Sequence, residues 1–77
     1  MVNIESQLTI KNNINVLRTE KKLTQQELAN AVGVTRATIN AMEKGAYNPS
    51  LELAFRLARF FNTDLNAIFT VEEEEQG

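Results

Sequence analysis

A short stretch in the middle of the chain carries residues of the types that read DNA base edges: Arg36, Ala37, Thr38 and Asn40. An arginine can donate two parallel hydrogen bonds to O6 and N7 of guanine, and an asparagine can pair with an adenine edge or contact a phosphate. A short apolar side chain such as Ala37 can contact the methyl group of thymine. In a helix, these side chains would face outward and would suit a DNA groove.

The composition argues against catalysis. The 77-residue chain has no histidine and no cysteine, which removes the commonest general base and the commonest metal ligands. The sequence also shows no paired carboxylates in a recognisable frame and no phosphate-binding loop. We therefore expect a protein that is not an enzyme and that needs no cofactor and no metal ion.

The middle of the chain carries signals for two short helices joined by a tight turn. Thr24 opens a capping box, so a helix is expected near residues 25–32, and Gly33 suits the left-handed residue that ends it. Thr35 can cap a second helix near 36–44. A helix, a short glycine-bearing turn and a crossing helix form the unit that places its second helix in a major groove. The apolar residues that can join these helices are Leu28, Ala29, Val32, Val34, Ile39 and Met42.

Apolar spacing and capping residues predict three further helices, near residues 12–22, 51–61 and 64–68. Segments 7–10 and 69–72 instead alternate polar and apolar residues, as strands do. We expect these two segments to pair in an antiparallel manner beside the bundle, since an isolated pair of strands is marginal without packing beneath it. The expected fold class is all-α, with five helices and a small two-stranded antiparallel sheet.

Length and charge are consistent with one domain. We assign residues 1–11 to an N-terminal extension with a short strand, 12–69 to the helical DNA-binding domain, and 70–77 to a short strand with an acidic tail. The net charge is −2, but without the acidic run at 72–75 eight basic residues face six acidic ones. That run is either a solvated tail or a device that repels DNA from one side of the molecule.

Features of the chain also bear on its location. It lacks the stretch of about 20 apolar residues that a membrane span requires. Its first residues lack the basic and apolar regions of a signal peptide. Together with the absence of cysteine, this predicts a cytoplasmic, nucleoid-associated protein.

The string LTQQELANAVGVTRATINAMEKGAYNPS, from Leu23 to Ser50, resembles the lambda-repressor-like (Cro/XRE) family of helix-turn-helix transcriptional regulators. The continuation LELAFRLARFFNTDLNAIF is also similar to that family, so the likeness covers about residues 12–69. The short chain and the strand-like segment after Phe69 are most similar to the small cytolysin-repressor type. The resemblance implies a five-helix lambda-repressor-like DNA-binding domain that acts as a homodimer.

The resemblance also implies roles for individual residues. Gln25 resembles the glutamine that grips a phosphate and supports a base-reading residue. Arg36 and Ala37 replace residues that are often glutamine and a larger polar residue in the family, so the preferred base sequence is left open. The residues expected to read bases are Arg36, Ala37, Thr38 and Asn40. The residues expected to contact the DNA backbone are Gln25, Thr35, Lys44, Tyr47, Asn48, Arg18 and Lys22.

One such module buries too little surface for operator-grade affinity, so we expect a homodimer on a pseudo-palindromic operator. The apolar residues Leu65, Ile68, Phe69 and Val71 exceed what so small a domain should bury. The expected dimer interface is therefore Leu65, Asn66, Phe69 and Val71. Alternatively, these residues fill the core of the monomer and the dimer forms only on DNA.

Two functions fit these features. The first is sequence-specific binding of double-stranded DNA by a transcriptional repressor that occludes its operator. The second is an antitoxin-like or regulator-binding protein-interaction module whose DNA binding is secondary. Only about ten residues precede the first expected helix, which leaves little room for a partner-binding segment and favours the first function. We expect no membrane partner and no small-molecule ligand.

Overall fold

The computed structural model describes residues 7–74, which form five short helices and one two-stranded sheet. This confirms the expected fold class. The parts of the expected N-terminal extension and acidic tail at 1–6 and 75–77 lie outside the described residues. In chain order the elements are β1 (Gln7–Asn12), α1 (Ile14–Glu20), α2 (Gln25–Val32), α3 (Arg36–Glu43), α4 (Leu51–Phe60), α5 (Leu65–Ile68) and β2 (Phe69–Glu74).

The hydrophobic core lies where the five helices meet, and every helix contributes to it. Removing such side chains from water is the main force that holds so small a domain together. Phe61 belongs to the core, and Phe60 packs against the core from outside, with the two ring centroids 5.1 Å apart. Phe55 is half exposed. The large side chains that are fully buried are Ile14, Leu28, Ile39, Met42, Leu57 and Ile68.

Four of the helices end at a residue with a left-handed backbone. Gly33 and Gly45 have φ of 80° and 78°, as expected of glycines that end helices. Asn62, with φ of 53°, follows α4, and Lys22, with φ of 59°, follows α1. The left-handed turn at Lys22 ends α1 at Glu20, earlier than the sequence suggested.

The two terminal segments pair as an antiparallel sheet, with Ile10 opposite Val71 and Asn12 opposite Phe69. The expected pairing is therefore confirmed. Strand β1 continues to Asn12, where the sequence suggested the start of a helix. The Asn12 side chain explains the boundary, because its Oδ1 accepts from the main-chain N–H of Ile14 at 3.0 Å. Its Nδ2 donates to the carbonyl of Met42 at 3.0 Å, which ties the sheet to α3.

The sheet has two different faces, because side chains alternate along a strand. Opposite residues share a face, so Leu8, Ile10 and Val71 lie together on an apolar face. Lys11 and Glu72 lie on the other face, where they form an exposed ion pair of 2.8 Å. Leu8 and Val71 are 64% and 57% exposed, so the apolar face is largely uncovered in the monomer.

Residues 7–74 also bear on two other kinds of site. None of the helices there combines the length and the apolar character that crossing a membrane requires. The same part of the chain contains no group of three or more acidic, histidine or cysteine side chains placed to hold a metal ion.

Candidate nucleic-acid interface

Helices α2 and α3 are both fixed at their starts by side-chain caps. The hydroxyl of Thr24 accepts from the main-chain N–H of Glu27 at 3.0 Å, and the Glu27 carboxylate accepts from that of Thr24 at 2.8 Å. The hydroxyl of Thr35 accepts from the main-chain N–H of Thr38 at 3.2 Å. Both predicted caps are therefore confirmed. They leave little freedom in where α3 begins, and α3 carries the candidate base-reading residues.

The turn between α2 and α3 is supported by α4. Gly33 is left-handed, and a β-carbon at this position would lie 2.9 Å from Nη1 of Arg56. The same guanidinium donates to the carbonyl of Val32 at 3.3 Å and pairs with Glu52. The left-handed backbone is the reason for glycine here, since Nη1 of Arg56 ends a flexible, half-exposed side chain that could move aside. The hydrogen bond from Arg56 links the turn to α4.

Helix α3 separates a buried side from an exposed side. Ile39 and Met42 are fully buried in the hydrophobic core. Arg36 and Ala37 are exposed, whereas Thr38 and Asn40 are partly buried at the margin of the exposed side. The structure thus places the four expected base-reading residues within the first five positions of α3, with Thr38 and Asn40 partly buried against the protein.

A single carboxylate, that of Glu43, joins α1, α2 and α3. Arg18 donates to it from Nε at 2.7 Å and from Nη2 at 3.2 Å. Asn15 donates from Nδ2 at 3.2 Å and Gln25 from Nε2 at 3.1 Å. The side chain of Glu43 is only 7% exposed and that of Arg18 only 13%. This group of Asn15, Arg18, Gln25, Asn40 and Glu43 is called the polar hub below.

Two opposing effects act on the acidity of Glu43. Burial raises the pKa of its carboxyl. Hydrogen bonds from Arg18, Gln25 and Asn15, together with the charge of Arg18, lower that pKa by more than burial raises it, so the pKa of Glu43 lies below its usual value. The hydrogen bond to Glu43 outweighs burial for Arg18 also and raises the pKa of the guanidinium. Both groups are therefore ionised at neutral pH, and Glu43 acts only as a hydrogen-bond acceptor.

Gln25 connects the polar hub to the candidate base-reading residues. Its Nε2 lies 3.3 Å from Oδ1 of Asn40 and 3.1 Å from Oε1 of Glu43. The expectation that Gln25 and Arg18 contact phosphates stays a prediction. The structure gives both side chains partners within the domain, since Arg18 also donates to the carbonyl of Leu23 at 2.7 Å.

The other expected backbone contacts surround the start and end of α3. Lys44, Tyr47 and Asn48 are exposed in and just after the last turn of α3, and Tyr47 is 43% exposed. Lys22 is exposed in the turn before α2. The hydroxyl of Thr35 serves α3 as a cap and lies 3.1 Å from that of Thr38.

The expected dimer-forming residues have different surroundings. Ile68 is fully buried in the monomer, so counting it among residues in excess of the core was wrong. Leu65 and Phe69 are partly buried against the core. Asn66 is exposed, and Val71 lies on the uncovered apolar face of the sheet. Among the expected interface residues, the exposed apolar surface is therefore smaller than expected and lies mainly at Val71 on the sheet.

Sequence reasoning missed Glu43 and Asn15. A signal for Glu43 was present, because a carboxylate in the last turn of a helix faces the negative end of the helix dipole and is unfavourable there unless it is paired. The sequence did not show which of the basic residues would be its partner. Asn15 carried no such signal.

Comparisons with known proteins agree with this geometry. A family model described as helix-turn-helix matches residues 14–68. An uncharacterised HTH-type transcriptional regulator of Methanocaldococcus jannaschii is 47% identical over 66 residues, which are 86% of this chain and all of that protein. The cryptic phage CTXphi transcriptional repressor RstR of Vibrio cholerae is 39% identical over 57 residues, which are 74% of this chain and 51% of the repressor.

Solved structures show the same fold. The crystal structure of the transcriptional regulator VanUg superposes with a TM-score of 0.73 at 25% identity, covering 96% of this chain and all of that one. Its coverage of nearly the whole chain extends the similarity beyond the residues that the family model matches.

Proposed function

The chain belongs to the Cro/XRE-type helix-turn-helix family, and we propose that it is a sequence-specific regulator of transcription that binds double-stranded DNA and acts as a repressor by occluding its operator. The observation that carries this proposal is the exposed end of α3, where Arg36 and Ala37 project from a helix whose start is capped and whose other side is buried. In this proposal α3 lies in the major groove, as the second helix of such units does.

The proposed base contacts follow the chemistry of the exposed side. Arg36 donates two hydrogen bonds to guanine, Ala37 contacts a thymine methyl, and Thr38 and Asn40 complete the base-reading set. Arg36 is exposed, so its guanidinium is available to DNA. Because Arg36 and Ala37 differ in size and polarity from the usual family residues, the operator sequence is expected to be particular to this protein.

The proposed phosphate contacts come from Lys22, Lys44, Tyr47 and Asn48, which are exposed on both sides of the helix pair, with Thr35 at the start of α3. Gln25 and Arg18 remain in this set of backbone contacts, and we also assign them a positioning role, because their hydrogen bonds hold α1, α2 and α3 together. Contacts to phosphates position a protein on DNA and carry little base information.

A homodimer is part of the proposal. Two copies related by a two-fold axis would read half-sites about 34–36 Å apart, one turn of DNA. We place the contact on Leu65, Asn66, Phe69 and Val71, extended by the apolar face of the sheet. The exposure of Val71 and Leu8 supports this placement, because a second copy would cover both.

The dimer is tested by sedimentation of Val71→Asp, which puts a charge on the apolar face. The control is Thr70→Asp, on the opposite face of the same strand and also exposed. We expect the parent and Thr70→Asp to sediment as dimers at micromolar concentration and Val71→Asp as a folded monomer. Dimers for all three would place the interface elsewhere, and a monomeric parent would mean that the dimer needs DNA.

DNA binding is tested by titrating the protein against operator and random duplexes at several salt concentrations. Each phosphate contact adds about 0.9 to the slope of log affinity against log salt. We expect Lys44→Gln to reduce that slope by about one contact per protomer, whereas the control Lys21→Gln leaves it unchanged. The ammonium of Lys21 lies over the ring of Phe60, 5.9 Å from its centroid, and not at α3. Equal slopes for all three proteins would contradict the proposed backbone contacts.

One observation supports the second function, a protein-interaction module. Leu51 and Phe55, one turn apart on α4, are 70% and 50% exposed, and exposed apolar pairs often lie in protein contacts. The salt titration separates the two functions. A protein whose main partner is another protein would show no difference between operator and random duplex.

A further inference from the structure

The polar hub does more than hold three helices together, because it determines which way two side-chain amides point. A carboxamide is nearly symmetric in shape but not in chemistry, since its oxygen accepts hydrogen bonds and its nitrogen donates two. A glutamine or asparagine whose surroundings do not distinguish the two ends can turn over and offer either one. The surroundings of Gln25 and Asn40 do distinguish them.

The first step runs from Glu43 to Gln25. Arg18 keeps Glu43 ionised, and an ionised carboxylate has no hydrogen to donate. The end of Gln25 that lies 3.1 Å from Oε1 of Glu43 must therefore be its nitrogen. The reversed amide would set the Gln25 oxygen against a carboxylate oxygen, which is repulsive.

The second step runs from Gln25 to Asn40. With one hydrogen of Nε2 directed at Glu43, the other is directed at the Asn40 atom 3.3 Å away. That atom must be an acceptor, so it is Oδ1. The reversed Asn40 would place two N–H donors against each other. The Nδ2 group of Asn40 then has no hydrogen-bond partner among the described residues and is the end left for DNA.

We propose that this relay, from Glu43 through Gln25 to Asn40, makes Asn40 approach DNA with its donor end first and thereby excludes cytosine at the base it faces. The inference rests on the proposed function. Guanine, adenine and thymine each present a major-groove acceptor, at O6 and N7, at N7 and at O4, whereas cytosine presents only the N4 donor. A freely turning Asn40 could accept from cytosine through Oδ1, and the relay prevents this. Gln25 is thus a positioning residue for specificity.

The test in DNA is selection from an operator library randomised at each half-site position. Asn40→Ala identifies the position that depends on Asn40, and there the parent should disfavour cytosine by about tenfold, roughly the loss of one hydrogen bond. Gln25→Met keeps the length of the side chain but removes its polarity, and it should reduce the discrimination against cytosine to about twofold or less. The control Gln26→Met should retain it, because within residues 7–74 the side chain of Gln26 hydrogen-bonds only to Asn30 on α2, at 2.9 Å.

The outcomes are separable. The relay would be overturned if the parent preferred cytosine at the position that depends on Asn40. It would also be overturned if Gln25→Met discriminated against cytosine as strongly as the parent does. Should Asn40→Ala weaken binding to all sequences alike, the acceptor is a phosphate oxygen; the donor-first orientation stands, and the exclusion of cytosine is wrong.

A second measurement needs no DNA and so keeps failure of the relay distinct from failure of the proposed function. In the free protein, side-chain amide exchange measured by NMR should be slow for Nε2 of Gln25 and fast for Nδ2 of Asn40. Gln25→Met should leave the exchange at Asn40 unchanged. Slow exchange at Asn40 and fast exchange at Gln25 would mean that both amides point the other way, which would overturn the relay whether or not the protein binds DNA.

Discussion

Replacing Arg18 by methionine is expected to cost about 3 kcal/mol of unfolding free energy at neutral pH. The substitution removes two hydrogen bonds to Glu43 and one to the carbonyl of Leu23 and leaves a carboxylate whose side chain is 7% exposed. Removing one partner of a buried ion pair costs about 3–5 kcal/mol. The lower end applies here, because Gln25 and Asn15 still donate to Glu43.

Urea denaturation followed by circular dichroism, at one protein concentration, measures this change. With a slope of about 1 kcal/mol per molar urea for so small a domain, the midpoint should fall by about 3 M. The control is Glu52→Gln, which removes the exposed ion pair with Arg56 but leaves the Arg56 bond to Val32. An exposed pair contributes about 0–1 kcal/mol, so this variant should stay close to the parent.

The pH dependence gives the reasoning a second check. The folded-state pKa of Glu43 is lowered, so its contribution is present above the unfolded pKa of about 4.3 and is lost as the pH falls through the folded value. In Arg18→Met the carboxyl can protonate at mild acidity and be relieved of its unpaired charge. The difference between variant and parent should therefore shrink on going from pH 7 to below pH 4. A difference that is under 1 kcal/mol at pH 7, or that grows in acid, would refute the account of the polar hub.

Three further predictions concern the helix pair. Gly33→Ala should destabilise the fold by about 1–2 kcal/mol through left-handed strain, because the nearby Nη1 of Arg56 ends a flexible, half-exposed side chain that can move aside. Gly45→Ala, also left-handed and with open space around it, should cost a similar amount; a much larger loss at Gly33 in urea would mean that Arg56 is held rigidly. Lys22→Gly should raise the free energy of unfolding by about 0.5–1 kcal/mol, because glycine adopts a φ of 59° without strain. The same change should weaken binding to all DNA sequences alike, and unchanged binding would mean that Lys22 does not contact the DNA backbone. Arg36→Ala should fold normally and lose about 1–3 kcal/mol of discrimination at one base pair, measured by competition between operator variants; a uniform loss on all sequences would mean that Arg36 contacts phosphate.

Local signals in the sequence were enough to predict most of the fold. A capping threonine and a left-handed glycine each act within a few residues of chain. That is why the start of α2 at Gln25 and the end at Gly33 agree with the structure. The boundary at α1 was less accurate, because it depends on Asn12, whose side chain accepts from the main-chain N–H of Ile14 and donates to the carbonyl of Met42, 30 residues away.

The candidate site was predictable only in part, for the same reason. That Arg36 and Ala37 are exposed follows from helical periodicity. That Asn40 is half-buried and bonded to Gln25 does not, because it depends on how α2 crosses α3. The burial of Ile68 likewise depends on α5 folding back onto the core. Contacts between elements are set by tertiary packing, which a single sequence does not display.

In the proposed relay, the polar hub couples stability to base reading through one carboxylate. A hydrophobic cluster of similar volume can often replace a buried ion pair without loss of stability, so stability alone does not require Glu43 to be charged. The orientation of Gln25 does require it, because only a group that accepts and never donates selects one end of a carboxamide. The double variant Glu43→Gln with Arg18→Met preserves the packing but removes the charge. It should therefore recover much of the stability that Arg18→Met alone loses, while the base preference at the position facing Asn40 should still be weaker than in the parent. If the double variant recovered the base preference as well as the stability, then packing, and not the direction of the two amides, would determine which base Asn40 reads.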